Sequence, residues 1–274
     1  MPCTETDFAF LRQFIQSRSE NVLDASRNDL FEARLYRVWQ SQGMNGLDEL
    51  VRKLRFADDP LLDQAVIEAM TINETSFFRD HAPFHLLREQ LLPQLLEKRR
   101  STQTLHFWSA ACSSGQEAYS LAMLLHQEFP QLAGWDIEIL GSDLHAEMVR
   151  KARTGRYQRM EVNRGLPARY LLKYFRRDGE EWEVVPEVRA LCRFEQRNLA
   201  HAPSPFEKFD GILLRNVLFY FSEEMQLRIL ERMHAALCPD GFLLLGSSER
   251  AVLPDLWRST IADNTCYYQP LPAA

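Results

Sequence analysis

From Ser101 onward, short apolar segments alternate with amphipathic segments, and this alternation restricts the possible folds more than any other feature. The predicted strands are 105–110, 136–141, 194–198, 209–215, 242–246 and 265–268. The predicted helices among them are 115–129, 145–153 and 223–237. Strands that alternate with helices are typical of a parallel sheet covered by helices on both faces. We therefore predict a doubly wound α/β domain over residues 101–274.

The segment between the second and third predicted strands, 155–193, is longer than a single crossover helix requires. Within it, 166–174 has helical spacing, whereas 175–185 is typical of a hairpin that turns at Asp178-Gly179. We predict a small β-subdomain inserted at about 156–193.

The N-terminal segment has a different pattern, with apolar residues at helical spacing such as Leu47, Leu50, Val51 and Leu54. Residues 1–75 contain 8 Lys/Arg and 13 Asp/Glu, against 24 and 25 in the rest of the chain. We predict a small helical domain over 1–75 and a linker over 76–100 that contains a helix at 84–98, which ends in a basic run.

Composition excludes several classes of function. A formal net charge of −6 provides no overall attraction to phosphate backbones, so we expect no nucleic-acid partner. No apolar run approaches the roughly 18 residues of a membrane helix, and the acidic N-terminus does not resemble a signal peptide. Five cysteines without a C-x-x-C pair indicate reduced thiols and no metal site. We expect a cytoplasmic protein that is not inserted in a membrane.

Small residues fill the turn after the first predicted strand, in Trp108-Ser-Ala-Ala-Cys-Ser-Ser-Gly-Gln-Glu117. Such a turn lets a nucleotide-like ligand approach the backbone, although a plain tight turn is an equally good interpretation, because the G-x-G-x-x-G fingerprint is missing. The second strand ends at Asp143, whose carboxylate is placed either to accept ribose hydroxyls or to cap the next helix. The two features in this order favour an adenosine ligand.

Two further polar clusters follow this logic. Arg215 and Asn216 stand at the carboxyl end of the predicted strand 209–215, where side chains enter the ligand crevice. Helix capping would also explain Asn216, and core packing would explain Tyr220. Capping does not explain the whole polar string 71–79, which lies at the predicted domain junction.

Five motifs of this chain resemble, in order, those of CheR-type methyltransferases, which methylate glutamates of bacterial chemoreceptors with S-adenosylmethionine. The motifs are Asn73-Glu-Thr-Ser-Phe-Phe-Arg79, Trp108-Ser-Ala-Ala-Cys-Ser-Ser-Gly-Gln-Glu117, Gly141-Ser-Asp143, Arg215-Asn-Val-Leu-Phe-Tyr220 and Gly246-Ser-Ser-Glu249. The resemblance spans nearly the whole chain and implies a Rossmann-like, S-adenosylmethionine-dependent domain behind a helical N-terminal domain. Ile72, Ala118 and Leu214 depart from residues common in that family.

The resemblance also implies a set of cofactor-binding residues. They are Asn73, Thr75 and Arg79 closing over the cofactor, Glu117 and Asp143 at its amino acid and ribose, Asn198 and Leu199 beside adenine, and Arg215 and Asn216 completing the pocket. Tyr220 matches the family tyrosine near the reactive methyl. Because a glutamate with a pKa near 4.3 is already ionised at neutral pH, no general base is needed, and Arg79 and Tyr220 are the candidates for orienting it.

Three arginines are candidates for docking an acidic receptor helix. Arg27, Arg34 and Arg37 occur at spacings of seven and three, which places them on roughly one side of a predicted helix. An ordinary solvated face is the alternative. Docking fits the receptor substrates that the resemblance implies.

The sequence therefore predicts a protein-glutamate O-methyltransferase that yields S-adenosylhomocysteine and acts as a monomer on methyl-accepting chemotaxis receptors. Two alternatives stay open: a methyltransferase for another protein or a small carboxylic acid, and an adaptor that binds the cofactor without turnover. The sequence leaves undecided whether other signalling proteins regulate the chain and whether the β-subdomain tethers a receptor peptide.

Overall fold

The computed structural model describes residues 3–201 and 207–272. The chain divides into two compact units. The first contains the described residues up to Ile72 together with Phe219–Gln226, and the second runs from Asn73 to Leu218 and continues from Leu227. Residues 76–100, predicted as a linker, are thus counted with the second unit.

The first unit is built from helices with one buried face. They are α1 (Glu5–Ser19), α2 (Asp29–Ser41), α3 (Leu47–Phe56) and α4 (Pro60–Met70). Thr4 and Asp7 form a capping box at the start of α1, and Asp59 caps α4 just before Pro60. Leu11, Leu35 and Leu50 are fully buried in their shared core. This part of the chain is helical because its apolar residues recur with the period of a helix.

The second unit contains a seven-stranded sheet in the order β6-β2-β1-β7-β8-β10-β9. Its strands are β1 (Thr104–Ala110), β2 (Asp136–Asp143), β6 (Cys192–Gln196), β7 (Phe209–Leu214), β8 (Leu237–Leu245), β9 (Trp257–Ala262) and β10 (Thr265–Pro270). The first five in sheet order are parallel, and β10 and β9 are antiparallel. This topology confirms the predicted α/β class. The sequence did not predict β9, an edge strand with mostly exposed or half-buried residues.

Helices cover this sheet and precede it. They are α5 (Ala82–Leu86), α6 (Leu92–Lys98), α7 (Gln116–Glu128), α8 (Ala146–Thr154) and α12 (Glu223–Ala236). A π-helical turn at Leu87–Leu91 joins α5 to α6, next to Pro93, which has no N–H for the helical ladder. Leu87 and Leu95 are buried in the core of the second unit. Within the described residues, no helix combines the length and apolar character that crossing a membrane requires.

A second, three-stranded sheet lies between β2 and β6 in the chain. It consists of β3 (Arg156–Gln158), β4 (Phe175–Asp178) and β5 (Glu181–Val184) in the antiparallel order β3-β5-β4. The short helices around it are α9 (Arg159–Val162), α10 (Ala168–Tyr174) and α11 (Pro186–Arg189). The β4–β5 hairpin turns where the sequence predicted, and Gly179 there has a φ of +63° that favours glycine. The predicted β-subdomain is present.

Candidate active site

The carboxyl ends of three neighbouring strands form one edge of the large sheet. Strand β1 lies between β2 and β7, so the turns that follow these strands meet at that edge. Ligands of doubly wound folds bind at this position. All the contacts described below, except where stated, belong to the second unit.

The turn after β1 is tight and is tied to β2. The backbone is left-handed at Ala111, Ser113 and Gly115, with φ values of 59°, 49° and 91°. The N–H of Cys112 donates to the carbonyl of Ser142 at 2.8 Å. A Cβ on Gly115 would lie 2.9 Å from the Cβ of Ala152, so only glycine fits there. A glycine is therefore required at 115 by the close approach of the Ala152 and Phe194 side chains, which confirms a tight turn, and the binding of a ligand there stays a prediction.

Asp143 joins two backbone segments through its carboxylate. Its Oδ2 accepts from the Ser113 N–H at 2.7 Å, and its Oδ1 accepts from the His145 N–H at 2.9 Å. The residue is buried, and this burial raises its pKa, while the two hydrogen bonds act in the opposite direction. Helix α8 has His145, not Asp143, as its N-cap. Because each carboxylate oxygen accepts more than one hydrogen bond, Asp143 retains the capacity for ribose hydroxyls.

Arg215 is the centre of a buried ion cluster. Its side chain is only 1% exposed. Nη1 donates to Oε2 of Glu117 at 2.9 Å, and Nη2 donates at 2.8 Å both to Oδ2 of Asp80 and to the carbonyl of Arg79. Oε1 of Glu117 accepts from Ser109 Oγ at 2.8 Å. Burial raises the pKa of Glu117, and the positive charges of Arg215 and Arg79 oppose this shift.

The segment 73–81 crosses this edge in a strained conformation. Phe78, Asp80 and His81 have φ values of 47°, 68° and 47°. The Phe78 N–H donates to Ser120 Oγ at 2.9 Å, and the Asn73 carbonyl accepts from Ser113 Oγ at 2.9 Å. Such backbone conformations persist only where surrounding contacts over-determine them.

The predicted residues Asn73, Thr75 and Arg79 all lie in this strained segment. Through it, Asn73 contacts the turn after β1, and the main chain of Arg79 contacts Arg215. The Arg79 side chain donates from Nη1 to the Glu74 carbonyl at 3.0 Å. Thr75 is half-buried between these contacts. The structure therefore brings this segment together with Asp143, Glu117 and Arg215.

Glu249 is a site residue whose role the sequence did not predict. Its carboxylate accepts from the N–H groups of Asn216, Val217, Leu218 and Gly246 at 2.7–2.8 Å. These bonds hold the turn after β7, where Asn216 has a φ of 60°. Gly246-Ser-Ser-Glu249 was noticed as a motif, but no local pattern links it to a turn more than 30 residues earlier in the chain.

Asn198 and Leu199 follow β6, the strand beside β2, and so stand at the same edge. The Arg197 N–H donates to the Asp143 carbonyl at 2.9 Å. Asn198 Oδ1 accepts from the Ala200 N–H at 2.9 Å, and Leu199 is buried. Their predicted position beside adenine stays a prediction.

Tyr220 belongs to the first unit and ends a 3₁₀ turn at Leu218–Tyr220. Its carbonyl accepts from the Val22 N–H at 2.8 Å, within that unit. The predicted catalytic role of its hydroxyl stays a prediction.

The three docking arginines do not share one helix. Arg27 ends a 3₁₀ helix at Ala25–Arg27, and α2 starts only at Asp29. Placing all three on one helical face was therefore wrong, because the helix begins after Arg27. Arg34 is half-buried and donates from Nη1 to the Met70 carbonyl at 2.9 Å, at the end of α4, whereas Arg37 is exposed.

Among the buried polar atoms without a hydrogen-bond partner in the described part of the chain, two follow directly on β7 at the sheet edge. They are Nε of Arg215 and Oδ1 of Asn216, one donor and one acceptor. Unpaired buried polar atoms are costly, so a polar ligand is expected to satisfy them. Together with the Asp143 carboxylate, this set of donors and acceptors fits an adenosine linked to an amino acid.

Comparison with known proteins gives relatives along most of the chain. The profile of the CheR methyltransferase SAM-binding domain matches residues 73–264. Chemotaxis protein methyltransferase 1 of Pseudomonas aeruginosa is 38% identical over 254 residues, 91% of this chain and 92% of that protein. Chemotaxis protein methyltransferase Cher2 of Pseudomonas putida is 35% identical over 96% of this chain and 97% of its own length. Chemotaxis protein methyltransferase 1 of Vibrio cholerae is 36% identical over 86% of each chain.

Proposed function

The chain belongs to the CheR methyltransferase family, with S-adenosylmethionine as its cofactor, and from this premise we propose that it methylates glutamate side chains of chemoreceptor cytoplasmic domains. The products are glutamyl methyl esters and S-adenosylhomocysteine. The relatives are named for chemotaxis, which supports receptors as the substrates.

The observation that supports this proposal most is the way the buried ion cluster holds the main chain at Arg79. Arg215 bonds the Arg79 carbonyl while Glu117 and Asp80 neutralise its charge. The guanidinium of Arg79 uses one N–H on the Glu74 carbonyl, which leaves further donors in its planar fork. A cation carried on a fixed main chain, with donors beyond the one bound to Glu74, suits an anionic acceptor such as a glutamate carboxylate.

The chemistry asks little of the protein beyond alignment. Bound S-adenosylmethionine supplies a methyl group on a positively charged sulfur. A glutamate with a pKa near 4.3 is ionised at neutral pH, so no side chain must remove a proton. We assign Arg79 and Tyr220 to orient the glutamate carboxylate. Holding two reactants in register is worth up to about 10⁵ to 10⁸ M in effective concentration.

The remaining site residues are assigned to the cofactor. Asp143 accepts the ribose hydroxyls, and Arg215 Nε and Asn216 Oδ1 gain the partners that they lack. Glu117 serves the amino acid part, Asn198 and Leu199 flank the adenine, and Asn73 and Thr75 cover it. We assign receptor docking to the helical first unit, with Arg37 as an exposed cation that takes part in it.

The direct test is methyl transfer from labelled S-adenosylmethionine to receptor-containing membranes, followed by mass-spectrometric mapping of the esters. We expect methyl esters on glutamate side chains. Alkali should hydrolyse these esters and release the label as methanol. Label on another residue type, or on small carboxylic acids alone, would overturn the assignment of the acceptor. Cofactor binding without any transfer would favour the adaptor.

The residue assignments have their own test in the same assay. Arg79→Ala and Tyr220→Phe should lower turnover more than they weaken S-adenosylhomocysteine binding, because their contacts matter most when carboxylate and methyl meet. Equal losses in both quantities would reduce them to cofactor ligands.

A further inference from the structure

Tyr157, in β3 of the small inserted sheet, contacts the turn that forms the cofactor site. The side chain is fully buried, and its hydroxyl donates to the Ser114 carbonyl at 2.7 Å. Ser114 lies in the turn after β1, between Ser113, whose N–H is bound by Asp143, and Gly115. The inserted sheet thus reaches the cofactor turn by a direct hydrogen bond.

The same ring also packs against the strained segment that carries Arg79. The rings of Tyr157 and Phe77 meet edge to face with centroids 5.0 Å apart. Phe77 also meets Phe175 of β4 at 5.4 Å, again edge to face, and the rings of Tyr157 and Phe175 lie 6.4 Å apart, so the three rings form one cluster. Pairs of this geometry contribute beyond the area that they bury. Phe77 is therefore anchored by rings from two strands of the inserted sheet, two residues before Arg79.

The loop between α9 and α10 adds a backbone contact to this anchor. A Cβ on Gly165 would lie 2.2 Å from the Phe77 carbonyl oxygen, so the two backbones touch. Next to it, Arg164 forms an ion pair with Glu74. The inserted subdomain therefore holds the segment 73–81 by ring, backbone and charge contacts.

Tyr157 contacts the turn after β1 and the segment 73–81, and both contain non-glycine residues with a left-handed backbone conformation. Ser113 has a φ of 49° and Phe78 a φ of 47°, each one residue from the Tyr157 contact. Conformations of this kind need support from their surroundings. We propose that Tyr157 is a positioning residue of the methyl-transfer site, through which the inserted sheet holds the cofactor turn and the Arg79 segment in register. This role rests on the proposed function for the identity of the site, but not on glutamate as the acceptor.

The test is Tyr157→Phe, which keeps the ring against Phe77 and removes only the hydroxyl. We expect S-adenosylhomocysteine to bind roughly threefold to tenfold more weakly by calorimetry, the order expected for one lost hydrogen bond. In the cofactor-free protein, amide hydrogen exchange should accelerate in peptides covering 111–117, because the Ser114 carbonyl loses its anchor.

Tyr119→Phe is the matched control. Tyr119 is equally buried, and its hydroxyl also donates to a backbone carbonyl at 2.7 Å, but that carbonyl belongs to Ala152 in α8. Both variants should lower the melting temperature to a similar degree. Only Tyr157→Phe should change cofactor affinity and the exchange of 111–117.

Equal affinity in Tyr157→Phe and the wild type, or equal losses of affinity in both variants, would overturn the positioning role and leave Tyr157 as core packing. Phe77→Leu gives a second reading, since it weakens the ring contact while the hydroxyl bond stays. It should lower turnover more than affinity, and an unchanged turnover would contradict the anchoring of the Arg79 segment. None of the binding measurements uses a receptor, so a wrong acceptor would leave their outcome intact.

Discussion

The charged side chains of the cofactor edge and those of the helical first unit are held in opposite ways. At the edge, Asp143, Glu117 and Arg215 are largely buried, and each is bound by backbone N–H groups or by opposite charge. In the first unit, Arg37 is exposed and Arg34 donates from one N–H of its guanidinium to a backbone carbonyl. Buried charges must be compensated, so their partners indicate their role. Exposed charges are stable in many settings, so their position alone indicates little.

The largest effect that this comparison predicts is the loss of Arg215. Arg215→Ala leaves Glu117 buried without its cation and should lower the free energy of unfolding by about 3 to 5 kcal/mol. Arg37→Ala, its exposed counterpart, should change it by no more than about 0.5 kcal/mol. Urea unfolding of both variants measures the difference. Similar values for the two would mean that the ion cluster is not a unit of stability.

Asp143→Ala tests whether the buried acid serves the cofactor. The variant should fold and should bind S-adenosylhomocysteine more weakly by about 1.5 to 3 kcal/mol, the range for hydrogen bonds to a charged group. Isothermal titration calorimetry gives the affinity, and circular dichroism checks the fold. Unchanged affinity in a folded variant would mean that Asp143 only joins the backbone at Ser113 and His145 by hydrogen bonds and does not bind the cofactor.

The raised pKa of Asp143 gives a pH signature with two opposite signs. Burial holds the folded pKa of Asp143 above the unfolded value of about 3.9. Between these two pKa values the native state binds more protons than the unfolded state, so the contribution of Asp143 to the free energy of unfolding rises as pH falls. The affinity for S-adenosylhomocysteine should decrease as pH falls through the same range, because the ionised carboxylate of Asp143 is the group that accepts the ribose hydroxyls. Glu117 shares the stability trend. Asp143→Asn should abolish the affinity trend, and its persistence there would exclude Asp143 as the titrating group.

The smallest expected effect belongs to Arg37, an exposed arginine of the first unit. Arg37→Glu should slow receptor methylation at low salt by a factor of about 1.4 to 5, the worth of an exposed ion pair. Arg34→Glu is less clean, because it also breaks the bond to Met70. The difference from wild type should shrink near 0.1 M salt, where the screening length is about 10 Å. Initial rates against ionic strength measure this, and equal rates at low salt would remove Arg37 from docking.

Local sequence was sufficient for the elements and for part of the site. Patterns within continuous stretches of sequence were enough to predict the strand–helix alternation, the hairpin at Gly179 and the acid at the end of β2. The break before Asp29 and the edge strand β9 were missed. A 3₁₀ turn keeps nearly helical spacing, and an edge strand needs few apolar residues.

The partners of the charged and aromatic groups were decided only by the tertiary structure. Glu249 binds a turn 31 to 33 residues away, Arg215 meets Glu117 across 98 residues, and Tyr157 reaches Ser114 across 43. No periodicity encodes such distances, because they depend on which strand ends become neighbours in the sheet. Sequence determined where each side chain stands along its own helix or strand, and packing determined which group it meets, since a buried polar atom must find its partner wherever the fold brings one.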